Sequence, residues 1–166
     1  MKKREGIEII RARRDDLQGF VEVEKEFKSY NSSLGVDKQY RVIPIGKLSS
    51  NYYRNDFFKR LSKKSLFFYF AKCGQEYVGY IYGYIQKMPE GFELRRIGYL
   101  DGIIIRQKFR GAGVASLLKN RFLMWLKKKG IKLCQIHVAV TNKQTAKIYK
   151  KWGFGADEQR MYLKIK

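Results

Sequence analysis

Apolar and polar residues alternate over residues 6–12 (GIEIIRA), which places every second side chain on one face and predicts a half-buried first strand. From Asp15-Asp16 onward the apolar spacing becomes helical, and the two carboxylates suit the positive end of a helix. Glycine and proline residues within 31–47 indicate a loop. The two serines that follow predict the start of a second helix over residues 52–64, because serine side chains accept hydrogen bonds from first-turn amides.

The middle of the chain has the pattern of a hairpin followed by a strand and a helix. Residues 65–88 contain two aromatic and β-branched runs on either side of the turn-forming segment CGQE, residues 73–76. After a break that contains proline and glycine, residues 94–106 are the fourth predicted strand. A glycine-rich turn then leads into a helix that ends near Gly130 and whose apolar face consists of Val114, Leu117, Leu118, Phe122, Trp125 and Leu126.

Three further elements complete the predicted fold. They are a fifth strand over residues 131–140, a helix that ends at Trp152, and an alternating last strand over residues 159–166. The order β-α-α-β-β-β-α-β-α-β predicts one α/β domain over residues 1–166 with a mixed sheet. No repeat or linker divides the 166 residues, and 45% hydrophobic residues are enough for one core.

Composition limits the location and the chemistry. The longest apolar run, residues 66–71, is far too short to span a bilayer, and no apolar segment follows the basic N-terminus. We therefore expect a cytoplasmic protein without membrane insertion, acting as a monomer or a homodimer. Cys73, Cys134 and the single histidine, His137, lack the spacing of a metal site, so we expect no metal and interpret the cysteines as small buried residues.

The chain is strongly basic, with 36 Lys and Arg against 15 Asp and Glu and a net charge of +21. Such a balance favours polyanions: nucleic acid, anionic membrane surfaces or phosphate-rich ligands. Because lysines occur along the whole chain, the charge is equally compatible with a solvated surface that has no partner. Any affinity for nucleic acid is therefore expected to be electrostatic and nonspecific, and to fall steeply with salt.

The stretch RQKFRGAGVASLL, residues 106–118, joins a predicted strand to a predicted helix, which is a common position for binding phosphate. A P-loop is excluded because Gly46-Lys47 is followed by leucine and lacks the earlier glycine. The dinucleotide fingerprint is excluded because Ser116 stands where its third glycine belongs.

A third phosphate-binding pattern, R/Q-x-x-G-x-G/A, fits Arg110, Gly113 and Ala115. With it the chain resembles the GNAT superfamily of acetyl-CoA-dependent N-acetyltransferases. The segment LDGIIIRQKFRGAGVASLL is similar to the family's fourth strand, phosphate turn and third helix. The segment IHVAVTNKQTAKIYKKWGF is similar to its second hallmark region, with the matching residues in the usual order: Asn142, Ala146, Tyr149 and Gly153-Phe154.

The resemblance implies a fold and a cosubstrate. The fold is a mixed, mostly antiparallel sheet with splayed fourth and fifth strands, flanked by about four helices. Acetyl-CoA is the implied cosubstrate, and its diphosphate meets the backbone amides of Arg110, Gly111, Ala112, Gly113, Val114 and Ala115 at the positive end of a helix. Its pantetheine arm lies along Ile103, Ile104 and Ile105, with hydrogen bonds from the backbone of the first and last, and Asn142 offers a further bond.

The resemblance also implies the catalytic groups. Tyr149 corresponds to the tyrosine that protonates the departing thiolate, although an aromatic residue here can also simply pack against the sheet. Asp101 lies where many relatives have a glutamate base, and Glu93 or a chain of water molecules are the alternatives. By alternation, His137 is interpreted as a strand histidine with satisfied hydrogen bonds.

The acceptor is expected to be a primary amine of a small molecule or of a peptide. In this family the acceptor contacts the first two helices and the last strands, which here contain Tyr52, Tyr53, Phe57, Phe58 and Tyr162. For Phe57 and Phe58 we prefer packing in the core. Two other hypotheses keep the same fold: a basic protein associated with nucleic acid or the ribosome, and a catalytically silent acetyl-CoA sensor.

Overall fold

The computed structural model of the protein describes residues 6–33, 49–63 and 65–157. The strands in this part of the chain are β1 (Ile7–Arg11), β2 (Leu66–Cys73), β3 (Glu76–Lys87), β4 (Arg96–Ile105) and β5 (Cys134–Ile136). The α-helices are α1 (Leu17–Ser33), α2 (Ser50–Leu61), α3 (Val114–Lys128) and α4 (Lys143–Lys151). Their order confirms the predicted one, except that the predicted last strand lies outside the described residues.

The five strands form one sheet in the order β1-β2-β3-β4-β5. The first three pairs are antiparallel and the pair β4–β5 is parallel, which confirms the mixed, mostly antiparallel sheet. β5 is three residues long, much shorter than the predicted 131–140, because its pairing with β4 ends at Leu100 and Ile136. A short 3-10 helix (Arg14–Asp16) precedes α1, and the Asp16 carboxylate accepts the Arg13 amide at 2.7 Å.

Helices cover both faces of the sheet. One face packs against α1 and α2, in a core that contains Phe20, Phe57, Phe68, Phe70 and Tyr80. The opposite face packs against α3, in a core that contains Phe67, Ile81, Leu100, Leu118 and Phe122. Neighbouring strand residues such as Phe67 and Phe68 thus enter different cores, as the two-residue period of a strand requires. Phe57 is fully buried, which confirms its interpretation as a core residue.

A buried polar network joins α1, α2 and β3. Glu24 is only 2% exposed, and the Tyr80 hydroxyl donates a hydrogen bond to its carboxylate. Arg60 lies 3.9 Å from the same carboxylate and 3.0 Å from Asp56. Burial alone would lower the pKa of Arg60, but Tyr80, Asp56 and Glu24 together raise it, so the guanidinium stays charged. This network fixes α2 against the sheet.

We expect Arg60→Met to lower the free energy of unfolding by about 2 kcal/mol or more, because it leaves the buried Glu24 carboxylate without its guanidinium partner. Urea unfolding followed by circular dichroism measures the change. Arg54→Met is the matched control, since Arg54 lies on the same helix, is exposed and, among the residues that the structure describes, forms only a cation–π pair with the Phe58 ring. Equal losses in the two variants would contradict a role for the network.

Candidate active site

β4 and β5 separate at a bulge in β4. In the pairing with β3, Tyr82 faces Gly102 and Gly83 faces Leu100, so Asp101 is the extra residue of the bulge. The parallel pairing with β5 ends one residue earlier, at Leu100. Beyond this point β4 pairs with β3 alone among the described strands, and a gap opens on its other side. The predicted splay of the fourth and fifth strands is thereby confirmed.

The backbone of β4 presents polar groups to this gap. The Arg106 amide donates to the Val78 carbonyl on β3 at 2.9 Å, so the Ile105 carbonyl of the same peptide plane points away from β3. Because backbone direction alternates along an antiparallel strand, Ile103 has the orientation of Ile105. The Ile104 side chain is buried in the core beneath α1 and α2. The edge of β4 thus offers the backbone of Ile103 and Ile105 to an extended ligand.

A glycine turn lies at the end of the gap. Gly111 has φ +80° and Gly113 has φ +78°, values of the left-handed region that glycine adopts without strain. Gly113 is the N-cap of α3, and Val114, 1% exposed, anchors the helix start in the core. The first amides of a helix have no partner within the helix, and its dipole favours negative charge there. The turn therefore has the geometry of an anion site.

Arg110 stabilises the turn through hydrogen bonds to the residues just before it. Its amide donates to the Gln107 carbonyl at 3.1 Å, which corrects the expectation that this amide faces the diphosphate: the amides that remain for a ligand begin at Gly111. Its guanidinium donates to the Ile105 carbonyl at 3.0 Å and lies 4.1 Å from the centre of the Tyr30 ring.

Helix α1 holds the same turn through Glu26. This carboxylate accepts hydrogen bonds from the Arg106 guanidinium at 2.8 Å and from the Gln107 amide at 2.5 Å. Burial raises the pKa of Glu26, but these hydrogen bonds and the nearby arginines outweigh burial and lower it. Sequence reasoning missed Glu26, Tyr30 and Arg106 as parts of the site, because no local pattern links a helix residue to a turn about 80 residues away.

Tyr149 lies on α4. Asn142 is the N-cap of this helix, and its side-chain oxygen accepts the Thr145 amide at 3.1 Å. The Tyr149 ring packs against Trp152 and Phe154 at centroid distances of 5.6 and 6.0 Å. Burial raises the pKa of Tyr149 to about 12, so its hydroxyl keeps its proton at neutral pH.

Asp101 lies beside an aromatic row, formed by the rings of Tyr82, Tyr84 and Tyr99, on the face of the sheet that α1 and α2 cover. Tyr84 stacks on Tyr99 at 5.1 Å, and the Tyr99 hydroxyl is 2.8 Å from Nδ1 of His137. Burial raises the pKa of Tyr82 and of Tyr84, and the negative charge of Asp101 raises both further. The Asp101 carboxylate is exposed and forms no ion pair with any residue that the structure describes.

His137 has both ring nitrogens engaged, since Nε2 lies 3.2 Å from the Gln135 amide group. This agrees with the interpretation that its hydrogen bonds are satisfied, but His137 is not a strand residue, because β5 ends at Ile136. Sequence reasoning missed Tyr84 and Tyr99, which meet only through the register of β3 and β4.

The remaining candidates are dispersed. Glu93 is exposed in the loop before β4, at the end of the strand far from Ile105. Tyr53 is buried, whereas Tyr52 is 40% exposed, and Tyr162 lies outside the described residues. No hydrogen bond or ring contact within the described ranges joins Tyr149 to Asp101.

No group of three or more His, Cys, Asp or Glu side chains in the described ranges is placed to hold a metal ion. No helix in those ranges has the length and apolar character needed to cross a membrane.

The acetyltransferase fold that the resemblance implied has two features found here. β4 and β5 separate at a bulge, and a glycine turn with left-handed backbone angles lies at the end of the gap between them. Residues 42–154 match the model of the acetyltransferase (GNAT) family, and the chain belongs to this family. An uncharacterised N-acetyltransferase of Methanocaldococcus jannaschii is 27% identical over 146 residues, which cover 87% of this chain. The chain spans 59% of the length of that relative.

Solved structures show the same fold. An aminoglycoside N-acetyltransferase in complex with CoA superimposes with a TM-score of 0.74 at 16% identity, over 99% of this chain and 98% of the other. An aminoglycoside 6′-N-acetyltransferase of Acinetobacter haemolyticus gives a TM-score of 0.72 at 19% identity, over 96% and 98% of the two chains.

Proposed function

We propose that the protein transfers the acetyl group of acetyl-CoA to a primary amine of a small molecule or a peptide. The observation that carries the proposal is the gap between β4 and β5, which opens at Leu100 and ends at the glycine turn. The turn is suited to a diphosphate, and the adjoining strand edge is suited to the amides of a pantetheine arm. Coenzyme A has these two parts in this order.

In the proposed complex the turn and the strand edge bind the cosubstrate. The amides of Gly111, Val114 and Ala115, with the α3 dipole, hold the diphosphate. The backbone of Ile103 and Ile105 bonds the pantetheine and the acetyl carbonyl, and the donor at the acetyl oxygen stabilises the oxyanion that forms on attack. The Ile105 carbonyl already accepts from Arg110, so the amide is the group of Ile105 that we assign to the ligand.

The chemistry requires one base and one acid. An amine attacks only when it is neutral, and we assign its deprotonation to Asp101, directly or through water. The nitrogen then forms a bond to the acetyl carbon, and the resulting intermediate expels the CoA thiolate. Tyr149 donates its proton to that sulfur. The assignment of Asp101 is supported by its exposed carboxylate, unpaired among the described residues and next to the aromatic row.

Release of free thiol from acetyl-CoA in the presence of an amine tests the proposal. The amine panel includes aminoglycosides, simple alkylamines and peptides, so that the two acceptor classes are separated. Thermal shift with acetyl-CoA and with oligonucleotides is measured in parallel, because a ligand that binds only the native state raises its apparent stability. Binding without turnover on any amine would indicate a sensor, and stabilisation by oligonucleotides alone would favour the nucleic-acid hypothesis.

Asp101→Asn is expected to lower kcat/KM by roughly 10- to 100-fold near neutral pH, because the amide cannot accept the amine proton. Steady-state thiol release at subsaturating amine measures the effect. Glu93→Gln is the matched control, since it removes a carboxylate at the other end of β4, and we expect it to leave kcat/KM unchanged. A larger loss in Glu93→Gln than in Asp101→Asn would assign the base to Glu93.

A further inference from the structure

A cavity lies away from the candidate active site, at the other end of the sheet. It has a volume of about 440 Å³, within the range of small-molecule sites. Its cationic lining comes from four separate segments: Arg11 at the end of β1, Lys63 after α2, Arg96 at the start of β4 and Lys129 after α3. Apolar walls are provided by side chains that include Leu66 and Trp125.

The charge of this cavity is of one sign. Among the residues that the structure describes, no carboxylate lines the cavity and none forms an ion pair with its four cations. All four are exposed. A fifth cation adjoins them, because Lys87 stands directly opposite Arg96 in the pairing of β3 and β4. Like charges in opposed strand positions repel each other. A bound anion would reduce this repulsion between the cations of the free protein.

This cavity is distant from the glycine turn. The ten residues of β4 begin at the cavity and end beside the turn, and at about 3.3 Å per residue they span about 30 Å. Helix α3 runs the opposite way, from the turn to the cavity, over about 22 Å. A coenzyme A diphosphate at the turn therefore leaves these cations unneutralised.

We propose that this cavity is a binding site for a phosphorylated small molecule of about nucleotide size. Guanidinium groups match the geometry of phosphate oxygens, and two arginines with two lysines suit a ligand with more than one negative charge. The Trp125 and Leu66 side chains give an apolar surface for the rest of the ligand. A nucleic acid is the less suitable occupant, because the cations line a concavity rather than a ridge or groove that follows a phosphate backbone.

Titration with pyrophosphate and with ADP tests the proposal by tryptophan fluorescence. Trp125 lines the cavity, whereas the only other tryptophan, Trp152, follows α4 and lies against the Lys119 ammonium at 5.4 Å; Trp152→Phe isolates the signal. Thermal shift of the otherwise unmodified protein is the second readout. The test variant is R96Q/K129Q, and the matched control K147Q/K150Q removes the same charge from α4. Lys63 is left unchanged because its ammonium also lies over Tyr84.

We expect both probes to bind and ADP to bind more tightly, because its base can contact the apolar walls. R96Q/K129Q should weaken binding by roughly tenfold or more, since it removes two charge-assisted contacts, while K147Q/K150Q changes it less than twofold. Without ligand, R96Q/K129Q should unfold at the same temperature as the wild type or higher, because repulsion is removed. A purely structural role for these residues predicts the opposite.

Three results would overturn the proposal. If probe binding is weakened equally in R96Q/K129Q and K147Q/K150Q, the loss depends only on net charge and not on the cavity. Displacement of the probes by CoA that is equally effective in the wild type and in R96Q/K129Q would place them at the glycine turn. Binding of a short DNA oligonucleotide that alone responds to R96Q/K129Q, with no binding of ADP or pyrophosphate, would assign the surface to nucleic acid. None of these readouts depends on acetyl transfer, so failure of the proposed function leaves the test valid.

Discussion

Gly113→Asp should weaken acetyl-CoA binding by about 100-fold or more. The residue is the left-handed N-cap of α3, at φ +78°, where the proposed diphosphate approaches the backbone. Aspartate adds a β-carbon into that approach and a negative charge within a few ångströms of two phosphates, at the helix end that otherwise attracts them. Isothermal titration with acetyl-CoA measures the loss.

Gly130→Asp is the control for backbone strain. Gly130 follows the other end of α3 with φ +71°, and a β-carbon there would meet nothing within 4 Å. Both variants place aspartate at a residue with left-handed backbone angles, one beside each end of α3. We expect each to lower the free energy of unfolding by about 1 kcal/mol. Only Gly113→Asp should lose affinity. A folded Gly113→Asp protein that binds acetyl-CoA as the wild type does would show that the diphosphate lies elsewhere.

Sequence reasoning succeeded where a feature depends on a few neighbouring residues. Ser49 caps α2 by accepting the Tyr52 amide at 3.3 Å, and Gly130 ends α3 in the left-handed conformation, both as predicted. Each is a local matter, because a helix terminus must satisfy its own amides or carbonyls. The glycine turn is a local feature of the same kind, because its left-handed backbone angles depend on glycine at positions 111 and 113.

Features that depend on distant segments could not be read from the sequence. The length of β5 is set by the bulge in β4 at Asp101, where the strand turns away from its parallel partner. Sequence reasoning gave the Arg106 side chain no role, yet it joins Glu26 of α1 to Glu76 of β3 at 2.8 and 2.9 Å. The cationic cavity likewise collects side chains from four elements, so composition signalled an affinity for anions without locating it.

The bracing of the turn by α1 links fold and proposed function. Glu26 holds the segment before the turn, and Tyr30 one helical turn later covers Arg110 and donates to Gln144 of α4 at 3.3 Å. These contacts join α1 to both sides of the gap, since the turn follows β4 and α4 follows β5. A cosubstrate in the gap would therefore meet a frame that is already fixed, which reduces the ordering that binding must impose.

The assignment of Tyr149 separates an enzyme from a sensor. Its hydroxyl is protonated at neutral pH, since burial raises its pKa to about 12, and no hydrogen bond joins it to another residue that the structure describes. It is thus available to a ligand. Proton donation to the departing thiolate matters in the transition state and hardly at all in the ground state, so the hydroxyl should affect turnover without affecting affinity.

Tyr149→Phe is therefore expected to lower kcat by roughly 100-fold while the affinity for acetyl-CoA stays close to that of the wild type. Phenylalanine keeps the ring and its packing on Trp152 and Phe154, so the fold should be retained. Thiol release gives kcat, and titration gives the affinity. Tyr69→Phe makes the same chemical change on β2, where the ring lies under Arg121 at 4.9 Å, and should leave both quantities unchanged.

Unchanged turnover in Tyr149→Phe would remove the residue from the mechanism, because a thiolate that leaves equally fast without the hydroxyl takes its proton from water. A loss of affinity or of folding, with no separate effect on kcat, would instead assign Tyr149 to the packing of α4.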